Sequence, residues 1–233
     1  MTELIAEIGQ NHNGDMGLAR ELIHAARDAG ADVAKFQLFD ARRLFSREGN
    51  PWYEYNLKTE LSRGQVEELC AVCAGAGIEF MASVFDAERV GWLEALGVRR
   101  YKVASRSIAD APLLTALGRT GKPLLVSLGH WAGEAFPLIP TAARVDFLYC
   151  VARYPAPLES LKLASVDFTA YAGFSDHSEG IAAAVAAYAR GARIVEKHLT
   201  MDRTMHGPDH QGSATPRDMA AINAWRKDIA MLL

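Results

Sequence analysis

Short apolar strand-like runs alternate with helical patterns along the whole chain, and this alternation restricts the fold more than any other feature. Strands are predicted near 3–9, 32–37, 78–82, 99–103, 122–127, 145–150, 169–173 and 192–197. Helices are predicted at 17–29, 62–76, 86–96, 110–118, 157–164, 179–190 and 216–231. Several strands are nearly continuous apolar runs, such as Pro123-Leu124-Leu125-Val126, as expected of strands buried on both faces of a parallel sheet. Gly30 and Gly77 follow the first two helices, where a left-handed residue stops a helix, and Thr215-Pro216 supplies a cap and a first-turn proline to the last. Eight strands with interleaved helices in 233 residues predict an α/β fold, a closed (β/α)8 TIM barrel forming one domain over residues 1–233. An open doubly wound sheet is the alternative, but Gly9-Gln10-Asn11-His12-Asn13-Gly14 is not a G-x-G-x-x-G turn. Two connections are irregular. Segment 38–61 is long and polar-aromatic, and its Trp52-Tyr53-Tyr55 stretch reads as an exposed lid or interface. Segment 129–144 has two prolines and little helical period.

Composition excludes several classes of function. Half the residues are hydrophobic and the formal net charge is -3, with no basic run suited to nucleic acid. Charges interrupt every long apolar stretch, so no membrane span is expected. The N-terminus runs straight into a strand, so no signal peptide is expected and the default compartment is the cytoplasm. Cys70 and Cys73 form a C-x-x-C, but no second pair completes a zinc site. They also fall late in a helical pattern, where no N-terminal dipole lowers a thiol pKa, and read as small apolar core residues.

Chemistry in such a barrel collects at the C-terminal ends of the strands. Those ends supply Glu7, Asn11 and His12; Lys35 and Gln37; Ser83; Lys102, Ser105 and Arg106; Ser127 and His130; Cys150 and Arg153; Ser175, Asp176 and His177; and Glu196, Lys197 and His198. Lys35 and Lys102 are costly to bury without an anionic partner. Together with Ser105, Ser127 and Ser175 they form a cradle for a phosphate or carboxylate; the alternative is that each lysine pairs with Glu7 or Glu196. His177 and His198 lie 21 residues apart at the ends of two neighbouring strands, which suits either a divalent metal or two hydrogen-bonded rim histidines. The polar loop His206–Ser213 is expected to fold over the mouth beside His198.

These residues have a recognisable combination. AEIGQNHNGD at 6–15, GADVAKFQ at 30–37, GIEFMASVFD at 77–86, YKVAS at 101–105, YPAP at 154–157, GFSDHSEG at 173–180, EKHLT at 196–200 and GPDHQGSATP at 207–216 span nearly the whole chain in order. On these segments the chain resembles the sialic acid synthase family, N-acetylneuraminate synthase and its pseudaminic and legionaminic acid relatives. The resemblance implies a barrel that condenses phosphoenolpyruvate with an N-acetylhexosamine-like aldehyde, giving a 2-keto-3-deoxy sugar acid and phosphate. It implies phosphoenolpyruvate contacts from Lys35, Lys102, Ser83, Ser105, Ser127 and Ser175, and catalytic roles for Glu7, Lys102, His177 and His198. It further implies a divalent metal, Mn2+ or Mg2+, on His177 and His198, with Asn11, His12, Gln37, Arg106, Arg153 and Asp209 facing the acceptor.

The departures fall on the sugar side. Where the family reads S-G-E, this chain has Ser105-Arg106-Ser107. Where it reads S-T-G-M, the chain has Ser127-Leu128-Gly129-His130, and Cys150-Val151-Ala152-Arg153-Tyr154-Pro155 lacks the usual threonine and amide. The second βα loop is short for the family, and the barrel accounts for all 233 residues, without the antifreeze-like domain that normally follows. Three expectations result: a synthase with a different acceptor, with Arg106, Arg153 and His130 reading an anionic or smaller one; a repurposed barrel that binds a phosphorylated metabolite; or a barrel served by a homodimer partner or a separate lid-domain protein.

Overall fold

The computed structural model describes residues 2–141 and 143–232. Eight parallel strands close into one barrel, each paired with its sequence neighbour and the last with the first. They are β1 Glu3–Gly9, β2 Val33–Leu38, β3 Glu79–Val84, β4 Tyr101–Val103, β5 Leu124–Ser127, β6 Val145–Cys150, β7 Gly173–Asp176 and β8 Ile194–His198. Closure excludes the open-sheet alternative. The helices are α1 Met16–Asp28, α2 Ala41–Leu44, α3 Tyr53–Thr59, α4 Arg63–Ala76, α5 Ala87–Ala95, α6 Ala111–Arg119, α7 Ala182–Ala189 and α8 Pro216–Leu232. None is long and apolar enough to cross a membrane.

Local chemistry sets the helix limits. Asp15 caps α1, its carboxylate accepting from the Gly17 and Leu18 amides. Ser62 and Gln65 close a reciprocal capping box on α4, which ends at Gly77 with φ +74°. Gly30 has φ +82°, a backbone conformation that favours glycine, and a Cβ there would also press the Asn223 side chain of α8 to move.

The strands bury both faces, and their alternation builds the site. Outward residues such as Ala6, Ile8, Phe36, Ala82 and Val103 form the core beneath the helices. Inward, a separate apolar layer of Ile5, Val33, Met81, Leu125, Leu148 and Ile194 makes the barrel floor, with Ala172 beside it. Two positions further along each strand, the inward residues become Glu7, Lys35, Ser83, Ser127, Cys150 and Glu196, all buried. The polar ring thus rests on an apolar plug.

The structure corrects four expectations about the fold. Residues 157–164 form no α-helix; two 3-10 turns, Leu158–Ser160 and Leu163–Ser165, flank Lys162 at φ +46°. That left-handed residue interrupts helical propagation. The seventh strand begins at Gly173 rather than 169, because Asp167 holds Thr169–Tyr171 in a turn through the amides of Thr169, Ala170 and Tyr171. Segment 38–61 contains α2 and α3, which the sequence reading missed. Tyr55 is buried rather than exposed, its hydroxyl 2.9 Å from Gln10 O and 2.7 Å from Asn13 Oδ1. With Trp52 against His206 at 5.2 Å, α3 is clamped to the first and last loops instead of hanging free as a lid. Segment 129–144 has no helix among its described residues.

Candidate active site

The barrel mouth holds two connected chambers. The inner one, about 40 Å³, is lined by Glu7, Lys35, Ser83, Lys102, Ser105, Ser127, Cys150, Ser175, His177, Glu196 and His198. Every residue expected to hold phosphoenolpyruvate or the metal therefore lines one space. The outer chamber, about 450 Å³, shares Gln37, Ala104, Ser105, Tyr154 and His198 with the inner one. It adds Arg106, His130 and Asp209, and an apolar wall of Leu44, Phe45, Phe85 and Ala152.

The inner chamber is an ionic lattice. Lys35 Nζ lies 2.6 Å from Glu7 Oε2 and 3.5 Å from Glu196 Oε2, and Lys102 Nζ lies 3.6 Å from Glu196 Oε1. The two lysines are thus paired with the two glutamates, and Glu196 bridges both. Lys35 also reaches Ser83 Oγ at 3.1 Å and Lys102 donates to Ser127 Oγ at 2.7 Å. Ser175 donates to Glu196 Oε1 at 2.8 Å, and Gln37 Nε2 to Glu7 Oε1 at 2.7 Å. Burial pulls the Lys102 pKa down, and Glu196 offsets only part of that. Burial also acts downward on Lys35, but Glu196 and Glu7 outweigh it and its pKa rises. Burial alone would raise the Glu196 pKa; Lys102 and Lys35 reverse the sign and hold it low. Glu196 Oε2 is buried without a hydrogen-bond donor.

The two imidazoles stand with ring centroids 5.8 Å apart. His177 Nδ1 lies 2.9 Å from Val151 O. A carbonyl only accepts, so Nδ1 carries the proton and the Nε2 lone pair is left available. Burial, reinforced by His198, lowers the His177 pKa to about 3, which keeps the ring neutral. His198 Nδ1 is buried with no hydrogen-bond partner, its nearest carboxylate oxygen being Asp209 Oδ2 at 3.8 Å. Tyr154, whose bond to Pro155 is cis, lies tilted over His177 at 4.1 Å and meets His198 edge-on at 5.9 Å. A neutral imidazole oriented by a backbone carbonyl beside an unpartnered imidazole nitrogen fits a metal site. Among the described residues no cluster of three His, Cys, Asp or Glu side chains is arranged to hold a metal.

Three expected acceptor residues face elsewhere. Asn11 is buried and donates to Leu199 O at 2.8 Å and Ser213 Oγ at 2.9 Å, tying the first loop to the last. His12 is buried, its Nδ1 accepting from the Gly14 amide at 3.1 Å, and burial lowers its pKa to about 4. Arg153 is exposed and lines neither chamber. Strand alternation does not extend into loops, and each of these follows its strand's last residue. Gln37, Arg106 and Asp209 do line the outer chamber. The sequence reading offered Glu196 as a lysine partner, which the structure bears out, but gave Cys150 no role and did not single out Tyr154; the aromatic before Pro155 was the available signal.

The structure thus defines a TIM barrel with a buried lysine–glutamate–serine ring beneath two neighbouring imidazoles. The comparisons agree with that class. The NeuB family model matches residues 22–232, and the chain belongs to the NeuB family. It is 34% identical over 248 residues to the N,N'-diacetyllegionaminic acid synthase of Campylobacter jejuni, covering 95% of this chain and 74% of that protein. It is 33% identical over 242 residues to the N-acetylneuraminate-9-phosphate synthase of Homo sapiens, covering 94% of this chain and 67% of that one. The N-acetylneuraminic acid synthetase of Leptospira borgpetersenii, solved with citrate, superimposes with a TM-score of 0.90 at 30% identity, covering 99% and 84% of the two chains.

Proposed function

We propose that this chain joins phosphoenolpyruvate to an aldehyde sugar, forming a 2-keto-3-deoxy sugar acid and inorganic phosphate with a divalent metal bound at His177 and His198. The observation that carries this reading is the inner ring, where two buried lysines, four serine hydroxyls and the paired imidazoles line one chamber. The phosphate and carboxylate of phosphoenolpyruvate enter among Lys35 and Lys102, competing with Glu7 and Glu196 for the same cations. Hydroxyls of Ser83, Ser127 and Ser175 turn toward the anion, and the outer chamber receives the aldehyde. C3 of phosphoenolpyruvate attacks the aldehyde carbon, and the former carbonyl oxygen takes a proton. Water adds at C2 and gives up a proton to Glu7, which Gln37 and Lys35 hold in place. The tetrahedral intermediate then breaks the C2–O bond to phosphate while its C2 hydroxyl loses a proton to the departing phosphate, leaving the 2-keto group. Lewis acidity toward the aldehyde oxygen is the chemistry a bound metal supplies here.

Calorimetric titration of phosphoenolpyruvate into the protein, with and without manganese, tests the reading. Binding is expected to disappear in Lys102→Ala, and phosphate release to require an aldehyde. Absence of binding under both conditions would sink it and favour a repurposed barrel.

A further inference from the structure

Arg106 sits where β4 turns into the outer chamber, in a short 3-10 turn spanning Ser105–Ser107. Its neighbour Ser105 lines both chambers, and its Oγ accepts from the Gly129 amide at 2.9 Å, so the turn is anchored to β4 and to the end of β5. The guanidinium lies over the Phe45 ring at 5.2 Å and makes one long contact to Leu44 O, at 3.4 Å. No carboxylate forms an ion pair with it among the described residues. The contact with Phe45 and the single bond to Leu44 O leave most of the five N–H donors unused. Asp209, the carboxylate of the same chamber, lies toward His198 instead. The chamber therefore carries a preset, unpaired cation at its outer part and an acid at its inner boundary.

We propose that Arg106 is a specificity residue that reads an anionic group, phosphate or carboxylate, on the acceptor. This rests on the reading that the outer chamber receives the acceptor. A carboxylate or phosphate accepts two parallel N–H bonds from such a fork, whereas a neutral hydroxyl offers no charge to pair with the cation. Phe45, Phe85 and Ala152 form an apolar wall of the same chamber.

The test uses unreactive mimics, so it does not require turnover. Sorbitol 6-phosphate, gluconate and neutral sorbitol are titrated into the full chain and into Arg106→Ala, with phosphoenolpyruvate present to occupy the inner chamber. One of the two anions is expected to bind better than sorbitol, and Arg106→Ala to weaken it about ten- to a hundredfold while leaving sorbitol unchanged. Whichever anion shows the Arg106-dependent preference identifies the group. Equal binding of all three, or an anion preference that survives Arg106→Ala, overturns the proposal. Phosphoenolpyruvate binding is measured in the same titrations and is expected to be equal in both proteins. Its absence counts against the synthase reading alone, because the Arg106-dependent difference is read on the mimics.

Discussion

Replacing Glu196 with glutamine probes the inner lattice directly. At an effective dielectric of about 20, contacts of 3.5 and 3.6 Å to Lys35 and Lys102 are each worth about 5 kcal/mol of attraction. Desolvation cancels much of that, and breaking a buried pair costs a net of about 3–5 kcal/mol. The lower end applies here, since Lys35 keeps Glu7 at 2.6 Å and Lys102 keeps Ser127 at 2.7 Å. A loss of about 3 kcal/mol lowers the melting temperature by roughly 6–12 °C for a domain of this size. The same change leaves the four charges of the chamber with an excess of one cation, so phosphoenolpyruvate is expected to bind Glu196→Gln about tenfold more tightly. Ligand at a hundred times its Kd returns about 2.7 kcal/mol, so the anion should largely restore the variant. Thermal melts with and without phosphoenolpyruvate measure both effects. A variant as stable as the parent, or one that binds the anion more weakly, would refute the view that Glu196 occupies the lysines in the anion's stead.

His177→Ala is expected to abolish tight manganese binding while the protein stays folded; unchanged affinity by calorimetry would remove this histidine from the metal site. His12 has a folded pKa of about 4, below the ordinary 6.5, so it binds its proton more readily in the unfolded chain. Its contribution is therefore fully present above about pH 6.5 and declines as pH falls toward 4, at about 1.4 kcal/mol per pH unit between those values. Urea melts of His12→Asn across that range should show a pH slope shallower by about that amount, and an unchanged slope would contradict the assignment.

Strand positions and the polar ring were legible because side-chain direction in a strand has period two. Once Ile5, Val33 and Ile194 are inward, Glu7, Lys35 and Glu196 must be inward as well. Helix limits were legible where local groups set them, as with Gly30, Gly77 and Thr215-Pro216. The sequence could not say that Lys35 and Lys102 share Glu196, because that depends on where closure brings β2, β4 and β8 across the barrel. Nor could it orient residues beyond the strand ends. Asn11 turns to the last loop, Arg153 to solvent and Tyr154 onto His177, each following packing between segments far apart in the chain. Local periodicity determined which residues could enter the site; tertiary closure decided which of them meet, because those contacts join strands and loops that only the closed barrel brings together.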